Sequence, residues 1–527
     1  MAQNKKILIY DTTLRDGSQG EGVSFNGEDK LNVAKKLDSL GVDYIEGGWP
    51  GSNPKDASFF KSIRKVSLKH AKVAAFGSTR RKGVSAGKDK NLNMLLDSEA
   101  PVITIFGKSW DLHVTEVLKT TPADNLKIIE SSIVYLKEHG HEVIYDAEHF
   151  FDGMSANSEY ALETLKAAVN GGADYLVLCD TNGGRIPSEV FARVSEVLKA
   201  FDVPVGIHTH NDSELAVANS LAAVEAGATQ VQGTINGYGE RCGNANLCSV
   251  IPNLILKMNR KCMTKKALKQ FMDVSCYVSE LANMVPNDKQ AYVGRSAFAH
   301  KGGMHVNAVK KNPKTFEHIV PEDVGNQRRV LISELAGKSN IAFKAKVFNF
   351  DLEESSPEIT VILDRVKELE NQGYSFEGAD ASLKILMDKV LGKHKSLFEV
   401  NDYRTVVRQN HEGLMVAEAT LDLTVKGHRE HVVADGDGPV NALDKALRKA
   451  LLKYYPKLEG MYLTDYKVRV LNGKAATAAK VRVLIESRDG HHSWSTVGVS
   501  ENIVEASWLA LLDSVEYQLK KNGFNPQ

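Results

Sequence analysis

Val203-Pro-Val-Gly-Ile-His208-Thr-His210-Asn-Asp212 is a short apolar run that ends in two histidines and two further polar residues. In an extended strand the side chains alternate faces, so His208 and His210 project the same way and Thr209 the other. Two imidazoles side by side at a strand end suit a divalent cation. An isolated H-x-H is also what two histidines hydrogen-bonded to core neighbours look like, so the rest of the chain must decide.

Outward from that stretch, the first ~260 residues alternate strand and helix with a steady beat. Strand-like runs fall at 6–10, 42–47, 72–76, 102–106, 142–146, 175–179, 203–208 and 229–235. Amphipathic helical stretches lie between them: 29–40, 122–138, 158–170, 188–200, 214–226 and 245–258. Gly41, Gly140, Gly171-Gly172 and Gly227 stand where helices should stop. Eight short apolar strands alternating with helices predict an α/β fold, a parallel (β/α)8 TIM barrel. A doubly wound open sheet is the alternative, and eight even units favour closure.

Barrel chemistry sits at the C-terminal ends of the strands. After strand 1 comes Asp11-Thr-Thr-Leu-Arg15-Asp16-Gly-Ser-Gln19, which places carboxylate, guanidinium and carboxamide around one turn. Asp16 is a candidate metal ligand, and Arg15 a candidate binder of a carboxylate or a polarised carbonyl oxygen. Glu46 ends strand 2, Glu148-His149 follow strand 5, and Asp180-Thr181-Asn182 follow strand 6. After strand 8 runs Gly237-Tyr-Gly239-Glu-Arg241-Cys242-Gly243-Asn244. Its G-x-G-x-x-x-G spacing is not the dinucleotide fingerprint, and it reads as a glycine-rich loop presenting Asn244. The convergence of all these polar residues on one end of the barrel outweighs any single motif.

With 527 residues the chain is too long for one ordinary domain. We divide it into a barrel over 1–285, a linker or lid over 286–398 and a third domain over 399–527. Apolar residues make up 43% and charged residues 25%, which predicts a soluble globular protein with ample core. Lys+Arg and Asp+Glu both number 66, which gives no support for nucleic acid or membrane as partner. No apolar run is long enough to span a bilayer, and the first residues lead into a short strand rather than a signal peptide. A cytoplasmic location is expected. The five cysteines (179, 242, 248, 262 and 276) form no C-x-x-C and no disulfide framework. Cys242 lies in the glycine loop without an evident activating base.

Residues 261–345 lose the beat. They hold a helical stretch, 265–284, and a glycine-rich segment with His300 and His305, read as a lid. Helices are expected at 357–372 and 379–391. From about residue 400, strands at 417–426 and 431–434 precede a helix at 440–455. The order recurs as strands at 466–470, 480–486 and 493–498 and a helix at 502–519. This pseudo-repeat carries no catalytic constellation and fits a ligand-binding regulatory or dimerisation module.

Three motifs, in order, resemble the DRE-TIM metallolyase superfamily: Asp11–Gln19, His208-Thr-His210-Asn-Asp212 and Gly239-Glu-Arg-Cys-Gly243-Asn244. Within it the chain is similar to the α-isopropylmalate/citramalate/homocitrate synthase family over nearly its whole length. The stretches 45–56, 76–82 and 145–153 lean toward the citramalate branch. The resemblance implies a Claisen condensation of acetyl-CoA with pyruvate, giving (R)-citramalate and CoA. It implies four metal ligands, Asp16, His208, His210 and Asn244, for Mg²⁺, Mn²⁺, Co²⁺ or Zn²⁺. Arg15 would stabilise the developing alkoxide, Thr181 would bind the substrate carboxylate, and Gln19 and Glu148 would line the site. Glu148 and His305 would complete the catalytic set, with His305 the base or base partner. The third domain would bind a branched-chain amino acid, isoleucine in this branch, and the family forms homodimers with the linker over the partner's barrel. One position departs from the pattern: relatives carry a tyrosine about eleven residues after that histidine, where this chain has Phe316. The competing readings are a 2-isopropylmalate synthase with a larger 2-oxo acid, a homocitrate synthase, and a non-catalytic amino-acid-binding regulator.

Overall fold

The computed structural model describes residues 5–409, 411–471, 479–490 and 492–523. The chain divides into two compact units. One holds residues up to Phe298 together with Ile319–Gln327; the other holds Ala299–His318 and everything from Arg328 onward.

The first unit is a closed eight-stranded parallel barrel: β1 (Leu8–Asp11), β2 (Tyr44–Gly48), β3 (Lys72–Ser78), β4 (Val102–Lys108), β5 (Glu142–Glu148), β6 (Tyr175–Asp180), β7 (Val205–Thr209) and β8 (Gln230–Gly233). Strand β8 pairs with both β7 and β1, which closes the ring. The two-residue period sorts the side chains. Tyr10, Tyr44, Ala74, Val102, Ile144, Val177 and Cys179 cluster together as one small core. Their neighbours along the same strands, such as Ile9, Ile45, Ile103, Val143 and Leu176, join a separate core with the surrounding helices, as do Ile207 of β7 and Val231 of β8. A parallel barrel buries both strand faces, which is why its strands read as short apolar runs.

The anticipated helices form at Gly27–Leu40, Pro122–Glu138, Ser158–Gly171, Pro187–Ala200, Ala216–Ala226 and Leu247–Leu256. Local chemistry sets their ends. Asn26 makes a capping box with Asp29, and Gly41 and Gly172 close their helices in the left-handed region. In this unit three helices were not anticipated, Pro54–Ile63, Lys90–Asp97 and Phe150–Ala156, and in the second unit two, Gly303–Lys311 and Lys338–Val347. The stretch read as one helix over 265–284 is two, Lys265–Leu268 and Phe271–Leu281, because the backbone at Gln270 (φ −100°, ψ 1°) leaves the helical region. The returning segment Ile319–Gln327 is tied to its own unit by Asn326, whose amide donates to the carbonyls of Tyr292 and Gly294.

The second unit opens with a two-residue parallel pairing of β9 (Ala299–His300) and β10 (Arg329–Val330). The helices Gly303–Lys311, Lys338–Val347, Pro357–Asn371 and Asp380–Val390 follow. Two antiparallel three-stranded sheets complete it. The first is β11 (Phe398–Gln409), β12 (Met415–Val425) and β13 (His428–Gly436), with helix Pro439–Leu451; the second is β14 (Tyr462–Val470), β15 (Val481–Arg488) and β16 (Ser493–Ser500), with helix Ile503–Lys521. The pseudo-repeat is therefore real, although β11 was not read as a strand. Each copy has a glycine where a strand meets its helix. A Cβ at Gly436 would lie 2.4 Å from the Ala442 nitrogen, and one at Gly498 2.0 Å from the Ala506 carbonyl oxygen. Among the described residues, no helix is long and apolar enough to cross a membrane.

Candidate active site

The three strands that meet at the closure of the barrel, β7, β8 and β1, carry the candidate ligands. His208 lies on β7 and His210 just beyond it, on the same face, with their Nε2 atoms 3.3 Å apart. Asp16 Oδ2 lies 3.9 Å from His208 Nε2 and 4.0 Å from His210 Nε2. One ligand atom from each of the three falls within 4.8 Å of the others, and all three residues are buried.

Asn244 is brought in by the glycine loop, through an isolated antiparallel bridge to His210. Its amide donates to Asp16 Oδ1 (2.8 Å) and to the Tyr238 carbonyl (3.2 Å), and its own Oδ1 is buried without a partner. This approach requires glycine at 239. At φ 152°, a Cβ there would sit 2.0 Å from Asn244 Nδ2 and 3.0 Å from Asp16 Oδ1.

Electrostatics prepare the cluster for a cation. Burial lowers the pKa of both histidines, to about 4 at His210, where the neighbouring His208 adds to it. Both imidazoles are therefore neutral at pH 7, with lone pairs to offer. Burial would raise the Asp16 carboxyl, but Arg15, His210, His208 and the Asn244 amide together hold it far below the usual carboxylate range. His208 Nδ1 is 2.9 Å from Gln232 Oε1, which fixes the proton on Nδ1 and leaves Nε2 free to ligate. The Gln232 amide in turn donates to Asp146 Oδ1 (3.1 Å). One carboxylate, two neutral imidazoles and an orphaned carboxamide oxygen form a mixed O/N donor set that fits a divalent cation.

Arg15 sits beside this cluster. Its Nη1 donates to Asp16 Oδ2 (2.8 Å) and its Nε to Glu46 Oε2 (2.5 Å), and the guanidinium lies 3.7 Å from the Phe76 ring centre. Glu46 is fully buried and also accepts from the Tyr10 hydroxyl (2.6 Å) and from Thr12 Oγ1. The guanidinium is thus fixed on three sides.

Thr181 follows β6. Its hydroxyl accepts from the His149 N–H (2.8 Å), and its carbonyl accepts from Arg241 Nη2 (2.6 Å). Arg241 also grips Asp212 through Nε and Nη2 (2.7 and 2.9 Å), which joins the loops after β6, β7 and β8. Glu148 ends β5, half-buried and ion-paired with Lys108. Gln19 is exposed on the turn that follows Asp16. His305 belongs to the second unit, on helix Gly303–Lys311, where its exposed ring stacks on Phe316 at 4.2 Å. Cys242 is exposed and unpaired in a disulfide.

Sequence reading missed Gln232, Asp146 and Lys108 as supports of the site. A signal was present for two of them. Gln232 is one of two buried glutamines in the short strand β8, and Asp146 sits two residues before Glu148 on the same face.

The barrel and its ligand cluster are matched by a family model described as HMGL-like, over residues 6–278. A model described as a homocitrate synthase post-HMGL domain matches 292–374, and one described as the LeuA allosteric (dimerisation) domain matches 377–519. Fold and site together define an enzyme of the HMGL-like class. An (R)-citramalate synthase of Geobacter sulfurreducens is 57% identical over 98% of both chains, and one of Aquifex aeolicus is 54% identical over 98% of both. A 2-isopropylmalate synthase of Methanocaldococcus jannaschii is more distant, at 33% identity over 98% of this chain and 95% of that one. The chain belongs to the (R)-citramalate synthase family.

Proposed function

We propose that the barrel condenses acetyl-CoA with pyruvate to give (R)-citramalate and CoA, supplying carbon for isoleucine by way of 2-oxobutanoate. The observation that carries this reading is Arg15 held against Asp16 beside the two paired histidines, in a chain of this family. Asp16, His208, His210 and Asn244 would hold Mg²⁺, Mn²⁺, Co²⁺ or Zn²⁺. When bound, the cation acts as a Lewis acid that orients the 2-oxo acid and polarises its keto group.

The chain's own groups do the rest. A base removes a proton from the acetyl methyl group, and we assign His305 to that task. The methyl carbon bonds to the keto carbon of pyruvate, and negative charge builds on the keto oxygen. Arg15, already oriented by Glu46, Asp16 and Phe76, donates to that oxygen without reorganisation. The Thr181 hydroxyl receives the substrate carboxylate, and Gln19 and Glu148 line the cleft. Water then cleaves the thioester, which releases CoA and makes the condensation practically irreversible. Phe316 has no hydroxyl, so proton transfer at its position falls to another group or to water.

We assign the two C-terminal repeats to dimerisation and to binding isoleucine as effector. The LeuA allosteric (dimerisation) match and the partly exposed apolar residues Val406, Val407, Leu463 and Val468 on the edge strands β11 and β14 support this.

The test is CoA release from acetyl-CoA with each of pyruvate, 2-oxobutyrate, 2-oxoisovalerate and 2-oxoglutarate. A kcat/KM that favours pyruvate by about tenfold or more, ~1.4 kcal/mol at the transition state, is expected. Preference for 2-oxoisovalerate would overturn the assignment.

A further inference from the structure

His149 stands between β5 and the helix Phe150–Ala156 with φ 55° and ψ 31°, in the left-handed region that a residue with a Cβ seldom adopts. In this conformation its N–H reaches the loop after β6 and donates to Thr181 Oγ1 (2.8 Å). A threonine hydroxyl has a single proton to give. Because Thr181 Oγ1 already accepts from His149, that proton is turned to another side. Among the described residues nothing accepts it.

The side chain of His149 keeps the backbone there. The ring is buried, with its centre 4.2 Å from that of His113 and 5.7 Å from that of Trp110. Its Nδ1 donates to Asp152 Oδ2 (3.0 Å), in the first turn of the helix that follows. Asp152 is held in its turn from the β6 loop. Asn182 Nδ2 donates to Oδ2 (3.0 Å), and Arg185 Nη2 donates to Oδ1. Burial would raise the Asp152 carboxyl, but the bonds from His149 and Arg185 hold it below its ordinary range. Ionised, it can only accept, which fixes the imidazole proton on Nδ1. Arg185 Nη1 is braced by Glu189 Oε1 and Ser155 Oγ, both at 3.0 Å, and the Arg185 carbonyl accepts from Asn219 (2.7 Å). The two loops are therefore linked in both directions. The β6 loop grips the acid beside β5, and the β5 loop grips Thr181.

We propose that His149, Asp152 and Arg185 are positioning residues for the condensation: they hold the His149 N–H on Thr181 Oγ1 and thereby present the Thr181 proton to the carboxylate of the 2-oxo acid. None of the three has to touch the substrate. The proposal rests on the preceding assignment of Thr181 to that carboxylate. The substrate carries its carboxylate unchanged through the reaction, so losing the preset donor weakens ground state and transition state alike.

Steady-state kinetics with Mn²⁺ present tests this, with a melting curve on each variant to establish folding. Asp152→Asn keeps the side chain's shape and removes its charge, and His149→Ala releases the backbone. Each should raise the KM for pyruvate by about tenfold, while kcat and the KM for acetyl-CoA stay within about threefold. His149→Asn places a residue that tolerates the left-handed region and should recover most of the pyruvate affinity lost in His149→Ala. Thr181→Val removes the hydroxyl and should also raise the KM for pyruvate. In that background Asp152→Asn should add less than about twofold, since no hydroxyl is left to orient. Full multiplication of the two effects would overturn the proposal, as would a joint shift of kcat and both KM values, which marks a merely structural role. A KM for pyruvate within about twofold of wild type in both Asp152→Asn and His149→Ala would overturn it as well. If Thr181→Val is impaired while those two are not, the proposal fails alone. If Thr181→Val itself keeps the wild-type KM for pyruvate, the assignment of Thr181 fails and the proposal falls with it.

Discussion

Gln232→Met tests whether the group behind the histidine, and not only the histidine, sets cation affinity. The swap keeps side-chain length and nearly keeps volume, so packing changes little. His208 Nδ1 loses its acceptor at 2.9 Å, and Asp146 Oδ1 loses the amide donor at 3.1 Å. His208 is only 5% exposed and Gln232 not at all, so water cannot replace either contact. Two buried hydrogen bonds of this kind are worth ~1–3 kcal/mol of stability. The larger effect falls on the metal. Without the acceptor, both imidazole tautomers become populated and the Nε2 lone pair is no longer held toward Asp16 and His210. Removing such an orienting partner weakens metal binding about 10–100-fold, ~1.4–2.7 kcal/mol. Titrating chelator-stripped protein with Mn²⁺ in a calorimeter, alongside melting of the same preparation, separates the two effects. Gln232→Glu keeps an acceptor for His208 and should recover most of the affinity. If Gln232→Met melts earlier but binds Mn²⁺ within about twofold of wild type, Gln232 only fills the barrel and the reasoning fails.

Other perturbations read other parts of the site. Arg15→Lys replaces a guanidinium fixed by Glu46, Asp16 and Phe76 with a point charge that cannot hold all three. Its kcat should drop about 10²–10³-fold with pyruvate, and a loss under about threefold would remove Arg15 from charge stabilisation. His210→Ala should abolish Mn²⁺ binding and turnover, while the metal-free melting point stays within about 4 °C of wild type. In Gly239→Ala the added Cβ must displace Asn244 from Asp16, so metal affinity should fall together with ~1–3 kcal/mol of stability; normal affinity would show that Asn244 is not a ligand. Burial pushes the Asp11 carboxyl up to about 7, against donation from Thr13. Native protein therefore holds a proton between about pH 4 and 7 that the unfolded chain has released, and this contribution to stability is lost as pH rises through that window. Asp11→Asn should flatten that slope in urea unfolding compared at pH 5 and 7; an unchanged slope would mean Asp11 is ionised in the fold.

The barrel was legible because each strand is a brief apolar run ending in polar residues, and a closed parallel sheet needs both. His208 and His210 could be paired from the two-residue period alone, and their Nε2 atoms do face one another. Gln232 and Asp146 carried a signal as polar residues on barrel strands, but nothing local in Gln230-Val-Gln232 tells which residue it will oppose across the barrel, so their link could not be read. The capped helix at Pro54–Ile63 is short, and its Asn53-Pro54 start looks like any turn. The break at Gln270 leaves no proline or glycine in the sequence to announce it. His305 could be singled out by its glycine-rich surroundings, but its stacking on Phe316 joins positions eleven apart and depends on how the linker folds.

The candidate ligands at the barrel's closure come from its first strand and its last two. A ribosome must therefore deliver the chain as far as Asn244 before Asp16 can share an ion with His208 and His210. Until then a cation would have no complete cage, and afterwards it would fasten the N-terminal strand to the end of the ring, where β1 pairs with β8 and Asn244 bridges His210. Metal binding would act in this protein as a clasp on a finished hoop: it favours the closed ring by mass action, slows release of β1, and distinguishes a completed barrel from one still being made.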